Sequence, residues 1–258
     1  METAWIFKKK YHIELSDVDF TKALRLSSLF NYFQDISSEA VENLGIGINT
    51  LEREFGVAWI LIRVRTDIIR NPVWGEEITI ETWHQESKKL EFERDYIVRD
   101  SNGNIIASAV STWVIVDIKT REIRKTDLLS FNYPPNIKER AIDCKLGKLK
   151  PFGQKEVVYK KAIGYSDIDF NGHINNSKYI DYAMDCFSVE NHMNYGVKSI
   201  EINYISEALP GDIIVLYRDI SALNSNLLYI EGISEKYNKI IFKSQVKIEP
   251  KYSNQNNK

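Results

Sequence analysis

This chain contains little cysteine. It also lacks the long apolar runs and the leader segment that would mark a membrane or secreted protein. The 258 residues contain only two cysteines, Cys144 and Cys186, too few for a disulfide framework or a cysteine-based metal site. No apolar run approaches the roughly 20 residues that a membrane-spanning helix needs. The first ten residues lack the apolar core and small-residue cleavage site of a signal peptide. We therefore expect a cytoplasmic protein that does not enter a membrane.

A strong charge of either sign is also missing. Lysine and arginine number 34 against 36 aspartate and glutamate residues, which leaves a net charge of −2 with histidine neutral. That balance gives no electrostatic indication of a nucleic-acid partner. The 43% hydrophobic and 27% charged fractions are typical of a globular chain with room for one large domain or two small ones.

One stretch is dense in polar side chains. Residues 165–179 read YSDIDFNGHINNSKY, and a helical pattern follows from about Lys178. Asp169, Asn171 and His173 stand two residues apart, so in an extended segment they project to one side. A polar cluster that leads into a helix N-terminus suits the stabilisation of charge on a substrate oxygen. A turn followed by a helix cap is the alternative interpretation of such a composition.

The chain also repeats itself. SDVDF at 16–20 recurs as SDIDF at 166–170, and each copy lies between a strand-like segment and a helical pattern. Four strand-like runs follow in each half. A helix and an antiparallel sheet each have one apolar face to bury, and packing the helix on the sheet buries both faces. The sequence predicts an α+β protein with two units of strand, helix and four strands.

The predicted elements fall at corresponding places in the two halves. The first half has a helix at 26–44 and strands at 11–15, 57–69, 77–83, 90–99 and 104–117. The second half has strands at 157–163, 197–205, 212–219, 226–232 and 239–249. Residues 125–154 show no clear periodicity and hold prolines at 134, 135 and 151. We therefore predict a domain at 1–138, a linker at 139–154, a domain at 155–250 and a disordered tail at 251–258.

The repeat indicates which half carries chemistry. After a shift of 150 the pairs are Asp19 with Asp169, Thr21 with Asn171, and Ala23 with His173. A helix cap alone would give the histidine no role. We therefore predict a catalytic second half, with packing and ligand binding left to the first.

Residues 165–179 resemble the signature of the acyl-acyl-carrier-protein thioesterases and, more loosely, that of the hotdog thioesterase superfamily. NPVWGEEITIETW at 71–83, Arg94 to Tyr96 and Ser111 to Val114 are similar to the same family. The resemblance implies a tandem hotdog fold, each half a long helix wrapped by an antiparallel sheet. It further implies hydrolysis of a fatty acyl thioester to free fatty acid and carrier protein, which ends fatty acid synthesis, with no metal or organic cofactor.

The catalytic set that the resemblance implies is Asp169, Asn171, His173 and Glu207. Plant members often carry a cysteine just after that glutamate, where this chain has Ala208, so we take the thiol to be dispensable. Our hypothesis is that Glu207 and His173 hold and deprotonate a water, while Asn171 orients it or the substrate carbonyl. Asp169 would fix the loop, and backbone N–H groups near the start of the second helix would receive the oxyanion. A carboxylate nucleophile that forms a mixed anhydride is the rival mechanism.

The implied substrate is a fatty acyl chain on the phosphopantetheine arm of an acyl carrier protein. Leu29, Phe30, Phe33 and Ile36 of the first helix are candidates to line an acyl tunnel, with core packing as the alternative. Candidates for docking the acidic carrier, or merely solvated lysines, are Lys145, Lys148, Lys150, Lys155, Lys160 and Lys161. A homodimer stays open, because the two repeats could instead pair with each other as a pseudo-dimer. On Cys186 we predict a buried, inert thiol.

Three other functions stay open at this point. A hydrolase of acyl-coenzyme A would use the same groups on a different carrier. A hotdog dehydratase would need a base beside the alpha carbon of its substrate. A non-catalytic acyl-binding module would bind acyl chains tightly without turnover, and the intact set of four polar residues argues against it.

Overall fold

A computed structural model describes residues 5–129 and 137–251 of the protein. The chain divides into two compact units, which we call the first unit, 1–146, and the second unit, 147–258. The division falls inside the segment predicted as a linker. Two sequence-based predictions, the prolines at 134 and 135 within the unpatterned segment and most of the disordered tail, lie outside the described residues.

The first unit packs one long helix against an antiparallel sheet. Its helices are α1 (Leu26–Asn43) and the single turn α2 (Ile48–Thr50), which a π-helical turn at Leu51–Phe55 continues. Its strands are β1 (Phe7–His12), β2 (Val57–Ile68), β3 (Glu77–His84), β4 (Phe92–Asp100), β5 (Ile105–Asp117) and the short β6 (Ile123–Arg124). The sheet order is β1-β3-β4-β5-β2, and β6 pairs with β5.

The second unit repeats this plan. Its helices are α3 (Asn176–Met184) and α4 (Val189–Asn194). Its strands are β7 (Glu156–Ala162), β8 (Tyr195–Tyr204), β9 (Ile213–Asp219), β10 (Leu227–Ser234) and β11 (Ile240–Pro250). The order β7-β9-β10-β11-β8 matches the first unit strand for strand, again antiparallel. The predicted unit of strand, helix and four strands is therefore confirmed in both halves.

Several elements differ from the sequence-based prediction. β1 runs from Phe7 to His12, several residues before the predicted strand at 11–15, because its three lysines hide the apolar alternation at an edge strand. The single turn α2, the short strand β6 and helix α4 were not predicted. Within the described residues, no helix combines the length and the apolarity that crossing a bilayer takes.

The apolar face of α1 forms the core of the first unit. Leu29, Phe33 and Ile36 lie in one buried cluster with sheet residues that include Ile80 and Tyr96. The Phe33 and Tyr96 rings are 4.8 Å apart. Their helical spacing places these side chains on one face, and burying that face against β3 and β4 holds the helix on the sheet. The stripe proposed as a tunnel lining is thus packed core.

Buried carboxylates hold both ends of the segment between the units. Asp95 of β4 accepts a hydrogen bond from the Ala141 N–H at 2.7 Å and pairs with Arg140 at 3.2 Å. Asp219, at the end of β9, accepts the N–H groups of Phe152 and Gly153 at 2.7 and 2.6 Å. The absence of periodicity therefore reflects anchoring by single polar contacts rather than by regular structure.

Candidate active site

The signature loop, which we define as residues 165–175, is a tight hairpin that leads into α3. Ile168 and Ile174 form an isolated antiparallel bridge. The Asp169 N–H donates to the His173 oxygen at 2.8 Å, and the Gly172 N–H donates to the Asp169 oxygen at 3.0 Å. Gly172 adopts φ +77°, a left-handed conformation that glycine takes without steric cost. The turn presents the side chains of residues 171 and 173 at its tip.

Asp169 shapes this loop. Its Oδ1 accepts the Asn171 N–H at 2.8 Å and the His173 N–H at 3.4 Å. Asp19 makes the corresponding bonds in the first unit, to the N–H groups of Thr21 at 2.7 Å and Ala23 at 3.4 Å. Because the aspartate does the same work where the other polar groups are missing, its bonds are structural.

His173 and Glu207 meet across the site. The His173 Nε2 lies 3.4 Å from the Glu207 Oε2, with the two side chains 32% and 39% exposed. Glu207 lies in what we call the glutamate turn, residues 205–211, just after β8. The N–H groups of Ile205 and Ser206 both donate to the Ile241 oxygen, at 2.8 and 3.1 Å. These bonds to β11 bring the turn beside the signature loop. Asn171 is exposed at the loop tip.

The side chain of Asn175 caps the start of α3. The Asn175 Oδ1 accepts the Ser177 N–H and the Ser177 hydroxyl, both at 2.9 Å. The Lys178 N–H donates to the Asn175 carbonyl oxygen at 2.9 Å. Asn175 is therefore a helix N-cap in the usual sense, and α3 begins at Asn176, slightly before the predicted position. The N–H groups of Ser177 and Lys178 are occupied by the cap, so neither is available to an oxyanion.

A buried aspartate anchors the beginning of the loop. The Asp167 Oδ2 accepts the Gly164 N–H at 2.8 Å and lies 3.6 Å from the Lys161 Nζ. Burial by itself would raise the pKa of Asp167, but the Gly164 N–H, the Tyr182 hydroxyl and Lys161 outweigh it and lower that pKa. Asp167 therefore stays ionised and holds the loop against β7.

The glutamate turn has a counterpart in the first unit that sequence reasoning missed. The N–H groups of Ile69 and Arg70 share the Ile106 oxygen at 2.9 and 3.2 Å, as Ile205 and Ser206 share that of Ile241. Counting on from these bonds, Asn71 corresponds to Glu207. The signal was present in the sequence, because NPVWG at 71–75 and EALPG at 207–211 both end in glycine. All three groups of the proposed reaction are therefore replaced in the first unit.

Tyr179 is a second residue that sequence reasoning did not assign to the site. It is buried on the first turn of α3, at the position that Leu29 holds in the first unit. Burial raises the pKa of its hydroxyl. This hydroxyl is hydrogen-bonded to the Ala208 backbone and is also influenced by the charge of Glu207. Its ring packs on Phe242 at 5.3 Å. Tyr179 thus links the helix to the turn that carries Glu207.

A cleft of about 670 Å³ opens beside the loop, lined in part by Ile168, Asp169 and Pro210. Two aromatic side chains of the loop are exposed, Tyr165 at 97% and Phe170 at 76%. Cys186, by contrast, is buried, its thiol donates to the Tyr182 oxygen at 3.4 Å, and burial raises its pKa to about 12. Neither Cys144 nor Cys186 forms a disulfide, and the raised pKa makes Cys186 an unreactive thiol.

Solved structures define the class of protein to which this fold belongs. A crystal structure of an acyl-ACP thioesterase from Bacteroides thetaiotaomicron is 25% identical, with a TM-score of 0.83 over 95% of this chain and 98% of that one. The 12:0-ACP thioesterase from Umbellularia californica, 19% identical, has the same fold, with a TM-score of 0.81 over 95% and 98% of the two chains. The predicted tandem hotdog architecture is therefore confirmed.

Sequence comparison is more specific. The family models described as the acyl-ACP thioesterase N-terminal and C-terminal domains match residues 4–127 and 154–257. The chain belongs to the acyl-ACP thioesterase family. The chloroplastic oleoyl-acyl carrier protein thioesterase 2 of Arabidopsis thaliana is 26% identical over 231 residues. That alignment covers 83% of this chain and 63% of the relative, so the chain spans a little under two thirds of the length of such a relative.

Proposed function

We propose that this protein hydrolyses the fatty acyl thioester of an acyl carrier protein to free fatty acid and carrier protein. The observation that carries the proposal is the contact of His173 with Glu207 beside Asn171, at 3.4 Å. Only the second unit has these groups, because Ala23, Asn71 and Thr21 replace them in the first. Membership of the family, and the names of the relatives, support the same reaction.

The geometry suits a water attack. Glu207 and His173, in contact with each other, together hold a water and take its proton as its oxygen attacks the thioester carbonyl carbon. The carbonyl oxygen gains a negative charge in the tetrahedral intermediate. The carbon–oxygen double bond then re-forms as the carbon–sulfur bond breaks. The proton then passes from His173 to the departing phosphopantetheine sulfur, so the products are a carboxylic acid and a free thiol. Asn171, at the loop tip, orients the water or the carbonyl through its amide.

A carboxylate nucleophile is the rival route. Asp169 is the weaker candidate for it, because its Oδ1 is held by two backbone N–H groups. Glu207 is the stronger one, and its attack would form a mixed anhydride that water then cleaves. A single turnover in oxygen-18 water separates the routes: label found only in the fatty acid supports water attack, and label in Glu207 supports the anhydride.

The proposal assigns acyl binding to the first unit and carrier docking to exposed lysines. Lys155, Lys160 and Lys161 pair with carboxylates of the second unit, namely Glu231, Glu235 and Asp167. The remaining candidates, Lys145, Lys148 and Lys150, are exposed. The docking proposal is therefore narrowed to these three.

Release of free fatty acid from a panel of acyl carrier protein substrates tests the function. We expect turnover by the unmodified protein and a loss of about 10²–10⁴-fold in kcat for His173→Ala or Glu207→Gln, because each removes part of the base. The double variant should lose little more than either single one, since the groups act as a unit. Asn71→Ala, at the corresponding place in the first unit, is the control and should keep full activity.

The same panel decides among the alternatives. Faster turnover of acyl-coenzyme A at equal acyl length would make the protein a coenzyme A thioesterase. Tight acyl binding without release would make it a binding module. Loss of water from a 3-hydroxyacyl substrate with the thioester intact would indicate a dehydratase.

A further inference from the structure

The two units differ in how the loop after the repeated aspartate meets the neighbouring turn. In the first unit the Leu24 N–H donates to the Pro72 oxygen at 2.9 Å, and the Trp74 N–H donates to the Lys22 oxygen at 3.0 Å. Ala23 and Val73 form an antiparallel bridge between these bonds. The backbone of the first unit is therefore closed at this place.

The second unit has no corresponding closure. The residues that match Leu24, Pro72 and Trp74 are Ile174, Ala208 and Pro210. Pro210 has no N–H, so the bond that Trp74 makes has no equivalent. Among the backbone bonds of residues 137–251, none has the Ile174 N–H as its donor, and no bridge joins His173 to Leu209. In the second unit the signature loop and the glutamate turn are joined by a side-chain contact, His173 to Glu207. In the first unit the corresponding segments are joined by backbone pairing.

The direction of the Ile174 N–H follows from the bridge that it belongs to. In the bridge with Ile168, the flanking residues make the bonds: the Asp169 N–H donates to His173 and the Asn175 N–H donates to Asp167, at 2.8 and 2.9 Å. In an antiparallel pair of this kind the N–H of the bridged residue points to the opposite side. That side faces the glutamate turn, as the bond of Leu24 to Pro72 shows in the first unit.

We propose that the Ile174 N–H is the oxyanion donor of the thioesterase site. Ile174 is 3% exposed and Ala208 is 1% exposed, so the N–H is shielded from water. A buried N–H without a partner is rare in folded proteins, and one directed at a reacting centre is pre-organised for charge that appears only in the transition state. The carbonyl oxygen of the substrate takes the place that the Pro72 oxygen has in the first unit. This assignment rests on the proposed function.

The repeat gives the proposal a physical origin. In the first unit the loop and the turn share two backbone bonds, from the N–H groups of Leu24 and Trp74. In the second unit proline at 210 cannot supply the second of these bonds, and the N–H of Ile174, which matches Leu24, is left for a substrate. The general base formed by His173 and Glu207 then lies beside the unbonded N–H of Ile174. The first unit has no such base, and its corresponding N–H, that of Leu24, is already hydrogen-bonded.

Replacing one backbone amide by an ester tests the assignment, because an ester lacks the N–H and otherwise keeps the shape of the chain. The ester is introduced at Ile174, and at Leu24 as the matched control, in the full-length protein. Both replacements also weaken the preceding carbonyl as an acceptor, His173 in one case and Ala23 in the other. Turnover of an acyl carrier protein substrate and the urea midpoint of unfolding are measured for each.

We expect the Ile174 ester to lose about 10²–10³-fold in kcat with little change in KM, and to lower the urea midpoint less than the Leu24 ester does. The Leu24 ester should show the reverse, an unchanged kcat and a lower midpoint, because it removes a bond made within the fold. An Ile174 ester with normal kcat, or one that fails to fold where the Leu24 ester folds, overturns the assignment and leaves the proposed function standing. Absence of turnover by the unmodified protein overturns the proposed function, and the assignment with it.

Discussion

Residues 19 and 169 are the same aspartate in both units, and each bonds the same two N–H groups of its loop. The two loops differ in the side chains that they carry: Thr21 and Ala23 in the first unit, Asn171 and His173 in the second. A retained carboxylate in a signature motif is therefore compatible with a scaffolding role. The groups that distinguish the units are those with which a substrate would react.

Alanine at each of the two aspartates separates scaffold from chemistry. Asp19→Ala and Asp169→Ala should each lower the free energy of unfolding by about 1–2 kcal/mol, since each removes two backbone hydrogen bonds to a carboxylate, and Asp19→Ala also removes the bond from the Thr21 hydroxyl. Asp169→Ala should also lower kcat about tenfold by loosening the loop that carries His173, and Asp19→Ala should leave kcat unchanged. Urea unfolding and steady-state turnover measure both. A fall of a thousandfold at Asp169 with normal stability would instead give it a chemical role.

At the scale of elements, single buried groups fix how neighbouring segments sit on the sheet of their own unit. Asp219, at the end of β9, is fully buried and bonds the N–H groups of Phe152, Gly153 and Ser221 at 2.6 to 2.8 Å. A Cβ on Gly153 would lie 2.8 Å from the Ser221 Cβ, so only glycine permits this approach. The irregular segment before β7 is thus as firmly specified as a strand.

Asp219 makes stability depend on pH in a defined direction. Burial would raise its pKa, but bonds from Ser221, Gly153 and Phe152 outweigh burial and lower the pKa in the folded protein. The stabilisation is therefore complete above the unfolded value of about 4 and is lost as pH falls through the lower folded value. Asp219→Asn should cost about 1–3 kcal/mol at pH 7 and should reduce the loss of stability on acidification. Urea unfolding at several pH values checks this, and an equally steep acid loss in the variant would contradict it.

Gly232 in β10 illustrates the same point for packing. A Cβ there would lie 2.5 Å from Phe242 Cε1 and 2.8 Å from Ile214 Cγ2, whereas one on Gly196 in β8 would meet nothing closer than 3.7 Å. Gly232→Ala should therefore destabilise the protein by about 1–3 kcal/mol through overpacking. Gly196→Ala should stay within about 0.5 kcal/mol of the unmodified protein. Equal thermal midpoints for the two variants would show that the strands yield at Gly232.

At the scale of the whole molecule, the two units have the same arrangement of helix and sheet but different side chains in the loop and the turn. Both units keep the sheet order and the aspartate loop, and the second alone has Asn171, His173 and Glu207. Divergence of this kind lets the first copy keep an apolar core while the second accumulates polar groups near its surface. The proposed catalytic role of the second unit follows from that difference.

Docking of the carrier protein is tested at the same scale. Reversing Lys145, Lys148 and Lys150 to glutamate should raise KM for acyl carrier protein substrates and spare a short soluble thioester, because only the carrier is acidic. Steered association of this type weakens with salt, so the difference should shrink at high ionic strength. Reversal of three other exposed lysines, Lys119, Lys125 and Lys138, is the control. Equal losses on both substrates would remove the docking proposal.

Sequence alone determined the repeat, the helix-and-sheet plan and the aspartate loop, because these depend on apolar periodicity and on hydrogen bonds between residues a few positions apart. It did not reveal the shifted start of β1, where lysines mask the alternation, or the helix α4. Only the tertiary structure decided that Glu207 reaches His173, that Asn71 is its counterpart, and that the Ile174 N–H has no backbone partner among the described residues. Those facts depend on which strands pair and in which register, and strand pairing joins residues far apart in the chain through contacts that no local pattern encodes.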